Sequence, residues 1–380
     1  MDIKERLGIF CFYDKDGIVG EYIKTYLESI LPYLKELVIV CNGHLSDRGK
    51  SILKKYTSQI FVRENRGMDG GAYQDVILNI LGLDYIHKYE ELLMFNDTIY
   101  APIDSWETVF AKMQSEEVDF WGLTQNSTKK IPLHIQSYFI MFCKKVLHSE
   151  EFAFFWRSLD AGQNDKNKVI ANFEINLTYF LEKKGYSWDT FSHCADKDMC
   201  RNPYFFLHNE RIPALKRNIF SHLGDIMVTD EERKKAELYV KEQSEYDFGM
   251  IVEELRRKEG RGVNELRSKK PEPVVRAERE ICWEEMLSYA SRYEKCYLYG
   301  NTLNAYVLRN LLEPEKIKGI IVSDAYSAEK TSAGKDAVLQ WSEVSNEGEG
   351  LIVTLGYQNA KKLKNKIVKK FPEAMFCWEL

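Results

Sequence analysis

The chain has 380 residues, a formal net charge of −5, and 44% hydrophobic and 13% aromatic residues. That length predicts two domains, or one large domain with an appendage, with ample apolar material for packed cores. The acidic balance argues against a general nucleic-acid binder, and no stretch reaches the ~18 apolar residues of a membrane span.

The first residues, Met1-Asp2-Ile3-Lys4-Glu5-Arg6, are too charged, and the apolar run after them too short, for a secretory signal. Residues 7–13 read as a strand, 14–17 as a turn and 18–34 as an amphipathic helix. A second strand over 36–41 ends in Asn42-Gly43, and a helix over 47–56 leads to a third strand over 59–63. This alternation predicts an α/β fold with a mostly parallel sheet and helices on both faces. Next comes Glu64-Asn65-Arg66-Gly67-Met68-Asp69-Gly70-Gly71-Ala72, then a helix over 73–83 with Val76, Ile77, Ile80 and Leu81 at helical spacing. Leu92-Leu93-Met94-Phe95 has the look of a buried strand and runs into Asn96-Asp97-Thr98.

Both polar phrases therefore fall where strands end, the edge at which open α/β sheets bind ligands. Closely spaced glycines let the backbone turn sharply and expose N–H groups to an anion. Arg66 suits a phosphate, and Asp69 can accept from a sugar or base. A lone carboxylate, Asp97, between Asn96 and Thr98 suits a Mg²⁺ or Mn²⁺ ion carrying a diphosphate. The same residues read equally as a tight turn with an Asx cap. Tyr13, Asp14 and Asn42 belong to the same edge, and they too are common turn residues.

Further along, 106–113 reads as a helix, 118–123 as a strand and 135–142 as another strand. Period-two alternation places His134, Gln136 and Tyr138 on one face of that last strand. A helix over 172–186 carries Glu174 in its first turn, where the helix dipole favours an acid in any case. Residues 212–217 end in the basic pair Lys216-Arg217. The charge-dense stretch 229–272 reads as exposed helices with Glu-to-Lys/Arg pairs, and Lys269-Lys270-Pro271-Glu272-Pro273 as a boundary. The tail is a second α/β unit, with strands over 295–300, 317–322 and 351–356 and helices over 303–312 and 359–371. It resembles a Rossmann-like module, but Gly300-Asn301-Thr302-Leu303-Asn304-Ala305 keeps only the first glycine of the phosphate loop, and Asp324 near the acidic ribose position counts for little without it. The eight cysteines are scattered without a C-x-x-C pair and read as reduced core thiols of a cytosolic protein. The cluster His193, Cys194, Asp198 and Cys200 matches no standard zinc spacing.

Four phrases carry a family resemblance: the run from Arg63 to Ala72, Phe95-Asn96-Asp97-Thr98, Phe120-Trp121-Gly122-Leu123-Thr124 and His134-Ile135-Gln136-Ser137-Tyr138-Phe139. In that order they resemble the rhamnan synthesis protein F family, glycosyltransferases of bacterial cell-surface polysaccharides with a GT-A-like nucleotide-sugar fold. The likeness covers roughly the first 225 residues. It implies a GT-A-like domain over 1–228, a charged helical linker over 229–273 and the Rossmann-like module over 274–380. The implied reaction moves a sugar, foremost L-rhamnose from dTDP-L-rhamnose, to a lipid-linked surface glycan with inversion. Another nucleotide sugar, or a non-catalytic glycan-assembly protein on the same fold, remains as the alternative.

Under the resemblance, Tyr13, Asp14, Asn42, Arg66, Asp69, Asn96, Asp97, Lys216 and Arg217 hold the donor. Glu174 is the base and His134 joins it at the reacting centre. Trp121, Gln136 and Tyr138 line the sugar or acceptor pocket, and Asp97 with His222 offers metal ligands. The metal turn lacks the second carboxylate of Asp-x-Asp, so the divalent ion is expected to be weakly bound or dispensable. The implied place is the cytoplasm, with peripheral contact at the inner face of the plasma membrane.

Overall fold

The structure, a computed structural model, describes residues 5–161, 164–221, 228–260, 279–324 and 337–379. It comprises two compact units. The first takes its described residues from 1–126, 135–158 and 180–272, and the second from 127–134, 159–179 and 273–380.

The first unit contains β1 (Arg6–Tyr13), β2 (Glu36–Asn42), β3 (Ile60–Arg63), β4 (Glu91–Asn96) and the short β5 (Ile99–Tyr100). In chain order follow β6 (Phe120–Thr128) and β7 (Ile131–Ile135), of which residues 127–134 are counted with the second unit, then β8 (Phe139–Cys143), β9 (Trp188–Ser192) and the short β10 (Leu215–Lys216). The main sheet runs β3-β2-β1-β4-β8-β6-β7, with β9 beside β6. β1, β2, β3 and β4 are parallel, whereas β8 runs antiparallel to β4 and β6. This is the mostly parallel α/β sheet that the strand–helix alternation leads one to expect.

Burial explains the order. β1 and β4 lie at the centre, and the continuous apolar run Leu92–Phe95 is what a strand covered on both faces requires. The helix Glu21–Ile30 buries Tyr22, Ile23, Tyr26, Leu27 and Ile30, one stripe at helical period. It is shorter than the expected 18–34, because Gly20 caps it and Pro32 sits in a tight turn, Leu31–Tyr33. The helix Trp106–Ser115 starts where the Ser105 hydroxyl accepts from the Glu107 amide at 3.1 Å. Its Trp106 stacks on Phe139 at 5.1 Å, which ties this helix to β8, and within the sheet Phe10 of β1 meets Phe95 of β4 at 4.9 Å. Gly122 allows the closest approach: a β-carbon there would lie 2.2 Å from Ile135 Cγ2.

The strand expected over 135–142 is broken. β7 ends at Ile135 and β8 begins at Phe139, on opposite sides of β6, so the chain must turn at Gln136-Ser137-Tyr138. The period-two placement of His134, Gln136 and Tyr138 on one strand face is corrected accordingly.

The second unit has an all-parallel sheet in the order β13-β12-β11-β14-β15. Its strands are β11 (Cys296–Tyr299), β12 (Ile317–Val322), β13 (Val338–Gln340), β14 (Gly350–Val353) and β15 (Met375–Phe376). β13 and β15 are too short to leave a sequence pattern. Residues 159–179 join this unit, unlike the division at 228 read from the sequence. Ala171 and Ile175 share a core with Met286, Leu298, Tyr306 and Leu308, and Asn310 donates to the Ala171 carbonyl at 3.2 Å.

Candidate functional site

Parallel pairing aligns the ends of three strands: Tyr13 lies opposite Asn42, and Cys11 opposite Asn96. The loops leaving β1, β2 and β4 therefore share one edge with the glycine turn. That turn is entered through Gly67 at φ +71 and Met68 at φ +53, a left-handed pair that glycine begins without steric cost. Asn42 holds the turn in place. Its Nδ2 donates to the Met68 carbonyl at 2.9 Å, and Arg63 donates to its Oδ1 at 2.6 Å. Asn42 is thus buried behind the turn as a positioning residue. Asp69 accepts from the Gly70 amide at 2.9 Å and from Asn96 Nδ2 at 3.1 Å, joining the turn to the end of β4. Asn96 Oδ1 in turn accepts from the Thr98 amide at 3.1 Å and hydroxyl at 2.7 Å. The Asx-cap reading of this phrase is therefore present in the structure.

Asp97 meets Arg217. The antiparallel pair β5/β10 sets Lys216 opposite Ile99, and the Arg217 amide donates to the Thr98 carbonyl at 3.0 Å. From there the guanidinium reaches Asp97 Oδ2 at 2.6 Å and the Asp97 carbonyl at 2.5 Å. It also faces Glu254 at 3.6 Å and lies over the Tyr22 ring at 4.8 Å. Asp97 is only 7% exposed, and burial raises its carboxyl above the ordinary range although Arg217 pulls it down. Burial works against the Arg217 charge, but Tyr22 and Asp97 overcome it and hold the guanidinium firmly protonated. Lys216 sits 4.0 Å over the Tyr138 ring, with its Nζ 3.4 Å from the Thr98 hydroxyl.

The helix Phe248–Glu259 is not a fully solvated charged helix: Phe248, Ile251 and Leu255 are buried, and Glu254 is 4% exposed on the same face. Glu254 pairs with Arg257 at 3.0 Å and Lys258 at 2.8 Å. Both cations continue to Asp14, at 2.5 and 3.2 Å. Burial alone would raise the Asp14 carboxyl, but Arg257, the Ile18 amide and Lys258 bring it down to about 2. Asp14 is therefore a buried anchor for this helix and does not present its carboxylate to a ribose or base. The helical spacing of 251, 254, 255 and 258 is the signal that could have placed Glu254 and Lys258 on the packed face.

The remaining expected residues divide. Tyr13 is 45% exposed at the strand edge, and Arg66 is exposed with Glu64 at 3.9 Å. Trp121 is corrected to a core residue, against Phe139 at 5.8 Å and Phe110 at 6.0 Å. Gln136 Oε1 accepts from the Thr124 hydroxyl at 2.8 Å, and the Tyr138 hydroxyl bonds the same group at 2.6 Å, so both are buried together. His134 and Glu174 belong to the second unit. There His134 Nδ1 lies 2.9 Å from the Pro132 carbonyl and Nε2 3.9 Å from Glu174. Glu174 does not head a helix. The helical run begins at Lys166, capped by Asp165, and Glu174 sits in its π-helical stretch Ile170–Ile175, which corrects the dipole argument. Asp324, in the same unit, accepts from the Ser342 amide at 2.8 Å. His222 lies outside the described residues.

The Asn96–Asp97–Thr98 turn does not fit a resident divalent ion. Asp97 is engaged by a guanidinium, the Asn96 and Asp69 oxygens already accept hydrogen bonds, and Lys216 stands against Thr98. Among the described residues no group of three or more His, Cys, Asp or Glu side chains could hold a metal. The cluster at His193 instead resolves into separate pairs, His193 with Asp189 at 2.8 Å and Cys194 with Asp196 at 3.2 Å. No helix among the described residues is long and apolar enough to cross a membrane.

Comparison with known proteins gives relatives of two kinds. The uncharacterized protein y4gN of Sinorhizobium fredii is 32% identical over 186 residues, 48% of each chain, so this chain spans about half of that relative's length. The virulence protein VirA of Vibrio anguillarum is 26% identical over 72% of this chain and 86% of its own. Among solved structures, a putative nucleotide-diphospho-sugar transferase from Desulfovibrio desulfuricans is 11% identical, covering 54% of this chain and 87% of its own at a TM-score of 0.31. Glucosyl-3-phosphoglycerate synthase from Mycobacterium tuberculosis, solved with Mn²⁺, UDP-glucose and phosphoglyceric acid, is 9% identical, covering 38% and 58% at a TM-score of 0.26. The family model described as "Rhamnan synthesis protein F" matches residues 37–287, which takes in the glycine turn, Asp97, Arg217 and the Glu254 helix. On that match the chain belongs to the rhamnan synthesis protein F family.

Proposed function

We propose that the protein is a glycosyltransferase that takes a sugar from a nucleoside-diphosphate donor, with dTDP-L-rhamnose as the favoured donor and a lipid-linked surface glycan as acceptor. The observation that carries this reading is the convergence of Arg217, Lys216, Asp97, Asn96 and Asp69 at the C-terminal edge of β1, β2 and β4 in a member of this family. That edge is where parallel α/β sheets receive nucleotides. Arg217 and Lys216 are the cations for the diphosphate, and the exposed Tyr13 ring is a surface for the base. In the transfer, the acceptor hydroxyl oxygen bonds the anomeric carbon as the bond from that carbon to the diphosphate oxygen breaks. The electron pair leaves with the diphosphate, where cations stabilise it, and the hydroxyl proton passes to a base. The proposed location is the cytoplasm, with peripheral contact at the inner membrane face, where lipid-linked acceptors are reached.

The test is a calorimetric titration of dTDP-rhamnose and a panel of UDP- and GDP-sugars. Binding of dTDP-rhamnose in preference to the others supports the full reading. Preference for another nucleotide sugar keeps the reaction and replaces the donor. Binding of none overturns it in favour of a glycan-assembly protein without turnover.

A further inference from the structure

We propose that Arg217 is the resident cation of the Asn96–Asp97–Thr98 turn, so that a nucleoside diphosphate is held there by Arg217 and Lys216 without a divalent metal ion. The diphosphate part rests on the donor reading above; the cation part does not.

Position comes first. Arg217 is set by backbone, not by a flexible approach: β5/β10 pairing and the Arg217 amide bond to the Thr98 carbonyl place its guanidinium beside Asp97. It holds both the Oδ2 and the carbonyl oxygen of Asp97, two atoms that a metal at this turn would otherwise use. A divalent ion would have to displace it or stand against it.

Charge is the second argument. Asp97, Glu254 and Asp14 alternate with Arg217, Arg257 and Lys258 in one buried chain of contacts. Within this chain three carboxylates are matched by three cations, so Asp97 is not left as an uncompensated charge to recruit a dication. A dication at Asp97 would face the like charges of Arg217 and Lys258, both of which already act on that carboxylate. Lys216 is left over. It makes no ion pair among the described residues and stands at the mouth of the turn over Tyr138. An incoming diphosphate supplies the negative charge that this surplus lacks.

Mn²⁺ titration followed by electron paramagnetic resonance tests the cation part on the protein alone. Wild type is expected to leave Mn²⁺ free into the millimolar range, and Arg217→Met to gain Mn²⁺ binding by uncovering Asp97. Stoichiometric Mn²⁺ binding to wild type that Asp97→Asn abolishes would overturn the proposal, whether or not Arg217→Met folds. Calorimetry with dTDP, UDP and GDP, in EDTA and in Mn²⁺, tests the diphosphate part. Affinity for the preferred nucleotide is expected to agree within about twofold between the two conditions, and Arg217→Lys to lower it about tenfold. Binding that appears only with Mn²⁺ overturns the metal-free site. If none of the nucleotides binds while Mn²⁺ stays free, the donor reading fails and the cation assignment is supported.

Discussion

Asp14→Asn isolates one charge in the buried chain that anchors the helix Phe248–Glu259. Asn retains an oxygen for the Asp16 and Ile18 amides, which Asp14 Oδ1 accepts at 3.0 and 3.1 Å, so the local turn is conserved. What is lost is the negative charge, with its attraction to Arg257 and Lys258 and its strengthening of the Ile18 amide bond. Asp14 is 1% exposed, and the fall of its carboxyl from an ordinary 3.8 to about 2 is a stability term. It corresponds to ~2.5 kcal/mol of stabilisation when the group is ionised. The sign follows from a depressed folded value: the contribution is complete above pH 4 to 5 and is lost as pH falls through about 2. At pH 3 roughly half of it remains. Native-state hydrogen exchange of the β1 and β4 amides reads the opening free energy of the first unit without requiring the whole chain to unfold in one step. The account predicts ~2.5 kcal/mol of destabilisation by Asp14→Asn at pH 7 and about half that at pH 3. A difference that is the same at both pH values, or below ~0.5 kcal/mol at pH 7, would refute the pairing argument.

Other substitutions separate the roles assigned above. Glu254→Leu leaves Arg217, Arg257 and Lys258 facing one another and is expected to cost ~3 kcal/mol in the same exchange experiment; a neutral effect would mean that the helix is held by its apolar face alone. Tyr13→Ala removes an exposed ring, so the melting temperature should hold while donor affinity falls about tenfold through lost base stacking. Unchanged affinity would move the base elsewhere.

The parallel half of the sheet was legible because each strand carries its own pattern. The continuous apolar run at β4 and the alternation of strands with helices sufficed for a mostly parallel sheet containing β1 to β4, whose order across the sheet, β3-β2-β1-β4, is set by pairings between strands that no single segment encodes. Asn96, Asp97 and Asp69 were legible as a group because they close strand ends that parallel pairing must align. The pairing of Asp97 with Arg217 was not, since it depends on the small β5/β10 ladder between residues far apart in sequence. Charge density hid Glu254 and Lys258, whose positions on the apolar stripe were outvoted by the surrounding Lys and Glu. Alternation misled at Gln136 and Tyr138, where a turn across β6 mimics the period of a strand. Glu174 was misplaced because its helix starts earlier, at an Asp165 cap that lies upstream of the apolar pattern.

Incubation of the protein with dTDP-L-rhamnose, other nucleotide sugars and lipid-linked glycan acceptors, with products identified by mass spectrometry, tests the central claim most directly. The account predicts that the acceptor gains one sugar and that a nucleoside diphosphate is released. It further predicts that Arg217→Lys, at the site of the 2.6 Å contact with Asp97, slows this about tenfold. Release of no diphosphate and no change in acceptor mass with any donor, from folded protein, would contradict it.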